Sequence, residues 1–244
     1  MSYFTGIAGR PARPRFGVEI GIGLGAIALL TVWPSVHAVD IAVQAHFFDT
    51  GAAHWLIPPD DRGWQFRIFY KGLKIAVGLV GGGAVLWLIA RATMRRWTAF
   101  DTCLVGALCV LGLTPLIVGL LKKVTGVSCP AQELFFGGPY AHVAIWDRLL
   151  SLVPYNTHLR CWPAGHASAG FGLMGVRVLA PLGERLLLRY WAPGLVAGWG
   201  LGLYQMARGQ HYLSHTVVTM ALAIVLSSLV LMILDRAMMQ VDRG

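Results

Sequence analysis

Long apolar runs separated by short polar segments recur along the whole chain. Runs close to the ~20 residues that cross a bilayer as a helix lie near residues 16–33, 68–90, 100–121, 163–179, 190–205 and 213–234. They predict an all-α fold: a polytopic membrane helix bundle of about six transmembrane helices, built as a single domain over residues 1–244. The larger outer loops fall at about 34–66 and 122–162. The fourth and fifth runs are short and glycine-rich, so their ends are loosely set. Gly81, Gly82 and Gly83, and Gly170, Gly172 and Gly175, suggest close helix contacts; ordinary membrane-helix composition is the alternative.

Composition agrees with this pattern. Hydrophobic residues make up 56% of the chain and charged residues 13%, about half the roughly 25% of a soluble domain. The net charge of +9 is not a nucleic-acid footprint, because the arginines are scattered between apolar runs. No repeat or low-complexity tract stands out. No apolar core ending at a small-residue cleavage site opens the chain, so no cleaved leader is expected.

Charge also sets an orientation. Arg10, Arg13 and Arg15, then Arg91, Arg95 and Arg96, then Arg185 and Arg189, then Arg236 and Arg243 all fall on one side of the predicted bundle. The positive-inside rule places that side, with both termini, in the cytoplasm. The bias is moderate, because Arg62, Arg67, Lys71, Lys74, Lys122, Lys123, Arg148, Arg160 and Arg208 fall on the other side. All eight histidines fall in the outer loops or at outer helix ends, where aqueous chemistry would use them. In the outer segment 34–65, Phe47, Phe48, Trp55 and Trp64 suit a layer at the lipid headgroups or, alternatively, an ordinary folded loop.

Cys103 and Cys109 lie inside an apolar run and read as packing residues. Cys129 and Cys161 share the outer loop before the fourth run. A periplasmic or extracellular compartment permits a disulfide between them. Two free thiols are the other reading, and alkylation without reductant separates the two.

Three chemically pointed positions sit at the outer ends of different runs. His166 stands in Pro163-Ala164-Gly165-His166, His211 in Gly209-Gln210-His211-Tyr212-Leu213-Ser214-His215, and Lys122 closes the third run. Phosphate-ester cleavage needs a nucleophile, an acid for the leaving oxygen, and fixed donors around the other oxygens. His211 suits the first role and His166 the second. His215 lies close to His211 if Ser214 caps the sixth helix. Pro163 is placed to open a helix, and Ala164 and Gly165 leave backbone amides accessible to an anion. Lys122 and Arg208 can pair with phosphate. Each has a plainer reading: a structural histidine, a snorkelling lysine, an arginine at a helix end. Convergence on one membrane face favours chemistry.

With these residues the chain resembles the type 2 phosphatidic acid phosphatase superfamily, whose motifs read K-x6-R-P, P-S-G-H and S-R-x5-H-x3-D. Lys122 is followed after six residues by Cys129-Pro130. The second motif reads Pro163-Ala164-Gly165-His166, and the third reads Gln205, five residues, His211, three residues, His215. Cys129, Ala164, Gln205 and His215 therefore replace an arginine, a serine, an arginine and the aspartate that orients the nucleophile. Arg208 is a candidate replacement cation. A neutral His215 could orient His211 by a hydrogen bond, without stabilising an imidazolium as a carboxylate does.

The resemblance implies a two-step hydrolysis that needs no metal and no other cofactor. His211 forms a phosphohistidine; His166 protonates the leaving oxygen and then helps activate water. Lys122, Arg208, Gln205 and the amides at Ala164 and Gly165 bind the phosphate. The expected substrate is a lipid phosphate: a lipid A phosphate, a polyprenyl pyrophosphate or phosphatidylglycerol phosphate. The expected partners are membrane lipids and no nucleic acid, and the location a bacterial-type inner membrane with a periplasmic site. A lipid-to-lipid phosphotransferase and a catalytically silent headgroup-binding member are the alternatives. Oligomeric state is not legible in the sequence.

Overall fold

The computed structural model describes residues 16–58, 63–64, 66–150, 158–180 and 188–241. Arg10, Arg13, Arg15, Arg62, Gln65, Arg185 and Arg243 lie outside these residues.

The described chain is mostly helical. In order come α1 (Phe16–Val32), α2 (Val36–Gln44), α3 (Leu73–Thr93), α4 (Ala99–Thr125), α5 (Ile145–Leu149), α6 (Gly165–Phe171), α7 (Leu188–Met206) and α8 (Leu213–Val241). A small antiparallel ribbon, β1 (Phe48–Asp49) with β2 (His54–Trp55), follows α2. A π-helical turn, Phe66–Gly72, leads into α3.

Local sequence sets the ends of α4. Thr98 caps it, with the Thr98 backbone N–H donating to Asp101 Oδ2 at 2.7 Å and Asp101 N–H donating back to Thr98 Oγ1 at 3.4 Å. Gly126, at φ 59°, ends the helix in the left-handed conformation that glycine takes without a side-chain clash.

Among the described residues, three helical stretches are long and apolar enough to cross a membrane: Phe66–Thr93, Ala99–Gln132 and Leu213–Ala237. Phe16–Val32 and Val36–Phe47, bent by 86° between them, make a fourth if they count as one broken span. This is fewer than the about six expected from apolar runs alone. The run at 163–179 divides into the seven residues of α6 and an eight-residue 3-10 segment, Gly172–Leu179. In α7, Arg189, Gln205 and the glycines at 194, 198, 200 and 202 dilute the apolar character.

The packing is that of a membrane protein. Large apolar side chains face outward on several helices: Ile22, Leu79 and Val196 are 67%, 72% and 74% exposed. Small and polar residues lie inside, among them Thr114, Ser227, Ser228 and Arg177. The α6 segment and the 3-10 segment after it sit at the centre, against α4, α7 and α8. Ala164, Ala167, Phe171, Met174 and Ala223 form one fully buried cluster there.

Glycine makes that centre possible. A Cβ on Gly170 would lie 2.5 Å from the backbone of Ala197 and Gly198, and one on Gly175 2.5 Å from the Ala107 carbonyl. The close contacts expected at Gly170, Gly172 and Gly175 are present. In the glycine triplet of α3, Gly82 and Gly83 meet nothing within 4 Å, and a Cβ on Gly81 would lie 3.6 Å from the Leu111 side chain of α4, an ordinary contact.

Candidate active site

Three chain segments converge at one end of the bundle: the end of α4, the turn into α6, and the turn from α7 into α8. Thr125 Oγ1 donates to the Trp162 carbonyl at 2.8 Å, and Cys161 N–H donates to the Val127 carbonyl at 2.9 Å. Ala164 N–H donates to the His215 carbonyl at 3.2 Å, and Thr219 Oγ1 donates to the carbonyls of Ala164 and His215. Ala131 N–H donates to the Gly209 carbonyl at 2.8 Å. Gly209, at φ +68°, makes the turn before His211 against the ring of Trp55, where a Cβ would lie 2.3 Å from a ring carbon.

A disulfide joins Cys129 to Cys161 across a separation of 32 residues. It ties the chain after α4 to the chain entering α6. Replacing both cysteines with serine is expected to cost about 3–4 kcal/mol of stability by the chain-entropy relation. Thermal unfolding of the variant beside the unreduced protein checks this; an unchanged midpoint would show that the hydrogen bonds alone hold the loop.

Within this frame Lys122, His166 and His211 meet. His166 Nδ1 lies 3.4 Å from His211 Nε2. A Cβ on Gly165 would lie 2.9 Å from Lys122 Nζ, so Gly165 leaves the space in which the lysine head rests. His211 is 1% exposed and His166 half-buried. Burial, followed by the charges of Lys122, His166 and His215, holds the His211 pKa well below the usual imidazole value. His211 is therefore neutral at neutral pH and keeps a lone pair for attack on an electrophile.

His215 stands with its ring centroid 6.1 Å from that of His211. Nδ1 of each is buried without a hydrogen-bond partner, so the two are not joined through these atoms. Ser214 is not the cap of α8, which begins at Leu213; its backbone N–H and hydroxyl both donate to Asp40 on α2. Gln205 is fully buried, and neither atom of its carboxamide has a partner. Two unmet polar atoms in such a place cost about 1–3 kcal/mol each unless a ligand meets them. The Arg208 guanidinium lies 5.1 Å from the Phe66 ring centre and 5.4 Å from that of Tyr204, with the residue 2% exposed.

Sequence reasoning passed over Glu133. It is 1% exposed and accepts hydrogen bonds from Ser128 Oγ at 2.6 Å and Tyr212 Oη at 2.7 Å, with His142 Nδ1 at 2.9 Å. Burial alone raises a carboxyl, but the hydrogen bonds from His142, Ser128 and Tyr212 outweigh it and hold Glu133 below the usual value. Tyr212, the neighbour of His211, thereby fixes the turn from beneath. A family model described as the PAP2 superfamily matches residues 103–239. No curated protein and no solved structure matches the chain.

Proposed function

Because the chain belongs to the PAP2 superfamily, we propose that it hydrolyses a lipid phosphate or pyrophosphate at the outer face of a membrane, through a phosphohistidine on His211. Superfamily membership supports phosphatase-type activity on phosphate esters. The observation that carries the finer reading is the approach of His166 Nδ1 to His211 Nε2, 3.4 Å, beside the Lys122 head.

The steps follow from those positions. The phosphoryl group enters between the two rings in place of their mutual contact. The His211 lone pair forms the N–P bond as the P–O bond to the leaving group breaks. His166 supplies the proton that the leaving oxygen takes up. Water then attacks phosphorus, its proton passes to His166, and the N–P bond breaks to release phosphate. Lys122 and Arg208 serve as the cations and the Gly165 amide as a fixed donor, whereas the Ala164 amide, expected to share that duty, is taken by the His215 carbonyl. His215 stands where the family carries its orienting aspartate, its ring beside that of His211.

Gln205 supplies a neutral donor where the family carries an arginine. Its unpaired carboxamide finds an acceptor in a phosphoryl oxygen. Replacing Gln205 with leucine is expected to leave stability unchanged or slightly raised, because it removes unmet polar atoms at similar volume. The same change is expected to lower the rate of phosphate release by about a hundredfold. Thermal unfolding and phosphate release measured on one preparation check both; a large loss of stability with normal turnover would show that the amide serves only the fold.

A site at the end of an apolar bundle suits a substrate whose tail remains in the bilayer. The candidate substrates are lipid A phosphates, polyprenyl pyrophosphates and phosphatidylglycerol phosphate. The arginine distribution favours an inner membrane, cytoplasmic termini and a periplasmic site. Phosphate release by purified protein from each lipid tests this reading. Transfer of labelled phosphate to a lipid acceptor would make the protein a phosphotransferase. Headgroup binding without turnover would make it a silent member.

A further inference from the structure

Beside the catalytic cluster lies a second group of donors that phosphate hydrolysis does not use. His37 comes from α2, and Glu133 and His142 from the loop after α4. One ligand atom from each lies within 4.8 Å of the others. His142 Nδ1 is 2.9 Å from Glu133 Oε1, and His37 Nε2 is 3.9 Å from Glu133 Oε2. Donors around a tetrahedral zinc ion stand roughly 3.4 Å apart, given metal–ligand bonds of about 2.0–2.2 Å. The two distances run to different oxygens of one carboxylate and fall on either side of that value, so rotation of the side chains is what brings one oxygen and both rings to the spacing of a zinc site.

The two rings come from different elements and lie face to face. The imidazoles of His37 and His142 stack with centroids 3.3 Å apart and planes 14° from parallel. Imidazole lone pairs lie in the ring planes, so one ring turns out of this stack when both nitrogens meet a single ion. Ser128 and Tyr212 fix the Glu133 carboxylate from behind, as outer hydrogen bonds commonly fix a metal ligand. His37 and His142 also line an open pocket of about 280 Å³ that includes Asp40, Asp147 and Tyr212. Their side chains are 27% and 31% exposed, so an ion can enter without unfolding.

We propose that His37, Glu133 and His142 form a binding site for a divalent transition-metal ion of the zinc class. Two imidazoles and one carboxylate suit zinc better than magnesium or calcium, which take oxygen-only sets. The pocket leaves the fourth position to water. The ion joins α2 to the loop carrying Glu133 and, through Tyr212, to the turn that bears His211. It takes no part in the phosphoryl transfer, which His211 and His166 carry out.

The test uses purified full-length protein carrying no polyhistidine tag, stripped with a chelator and then dialysed against zinc chloride. Retained metal is measured by mass spectrometry, and cobalt chloride in place of zinc gives the visible absorption of a four-coordinate site. The expected result is about one ion per chain, with affinity at least about tenfold weaker in both His37→Ala and His142→Ala. Zinc is also expected to raise the unfolding midpoint of the native protein and not of His37→Ala. Both histidines are partly exposed, so their variants keep the fold and report independently of Glu133. His211→Ala is expected to bind zinc normally. Absence of retained zinc in the native protein overturns the proposal. So does unchanged binding in both histidine variants, or binding lost in His211→Ala, which would place the ion in the catalytic cluster.

Discussion

Replacing His211 with alanine is expected to lower phosphate release by about four orders of magnitude or more, with little loss of fold. The size follows from the role. Without His211 no neighbouring ring is placed to form the covalent bond, because His166 faces His211 and His215 is one helical turn further on. The donors that remain, Lys122 and the Gly165 amide, still bind phosphate, so a weak residual rate and near-normal affinity for product phosphate are expected. Replacing His166 with alanine is expected to act on the leaving group. Its effect is smallest for activated esters that depart without a proton and greatest for lipid alcohols. Turnover of an aryl phosphate and a lipid phosphate by both variants separates the two roles. Equal losses on both substrates in both variants would show that the histidines serve only to hold the site together.

The largest stability effect is expected at the other polar centre of the bundle. Arg177, in the 3-10 segment after α6, is fully buried, and its Nη2 donates to Glu19 Oε1 and Oε2 at 3.1 and 2.8 Å. Arg177 Nη1 donates to Ser227 and Ser228 on α8, and Ser228 also donates to Glu19. The Arg177 guanidinium lies 4.0 Å from the Trp191 ring centre on α7. One guanidinium thus ties α1, α7 and α8 to the central segment. Glu19→Ala leaves that charge buried without its carboxylate, at a cost of about 3–5 kcal/mol. Adding Arg177→Met removes the stranded charge and is expected to recover much of the loss. Unfolding in detergent of the two single variants and the double variant measures the coupling. A Glu19→Ala protein as stable as the native one, with no recovery in the double variant, would contradict it.

Particular residues show what the sequence made legible. The apolar runs located the helices because lipid-facing residues need only be apolar, which is a local property. Their number as spans was not legible at 163–179. There most of the chain packs against α4, α7 and α8, so short, glycine-broken helix is tolerated where lipid would not allow it. Lys122, His166 and His211 were legible through motif spacing, and the structure gathers them. Glu133 was not, because its role depends on how a loop folds back to meet Tyr212, 79 positions away. The same holds for Glu19 and Arg177, separated by 158 positions. An arginine inside an apolar run was nonetheless a readable sign of a buried partner. Ser214 misled because a serine beside a helix start reads as a cap, and only the fold brings Asp40 to claim its hydroxyl.

The central claim is that His211 carries the phosphoryl group. Protein mixed with a lipid phosphate labelled in the phosphoryl group, quenched in alkali within one turnover and digested, gives labelled peptides for mass spectrometry. The account predicts an acid-labile, alkali-stable label on His211, absent in His211→Ala. Turnover with no labelled peptide, or with the label on another residue, would contradict it.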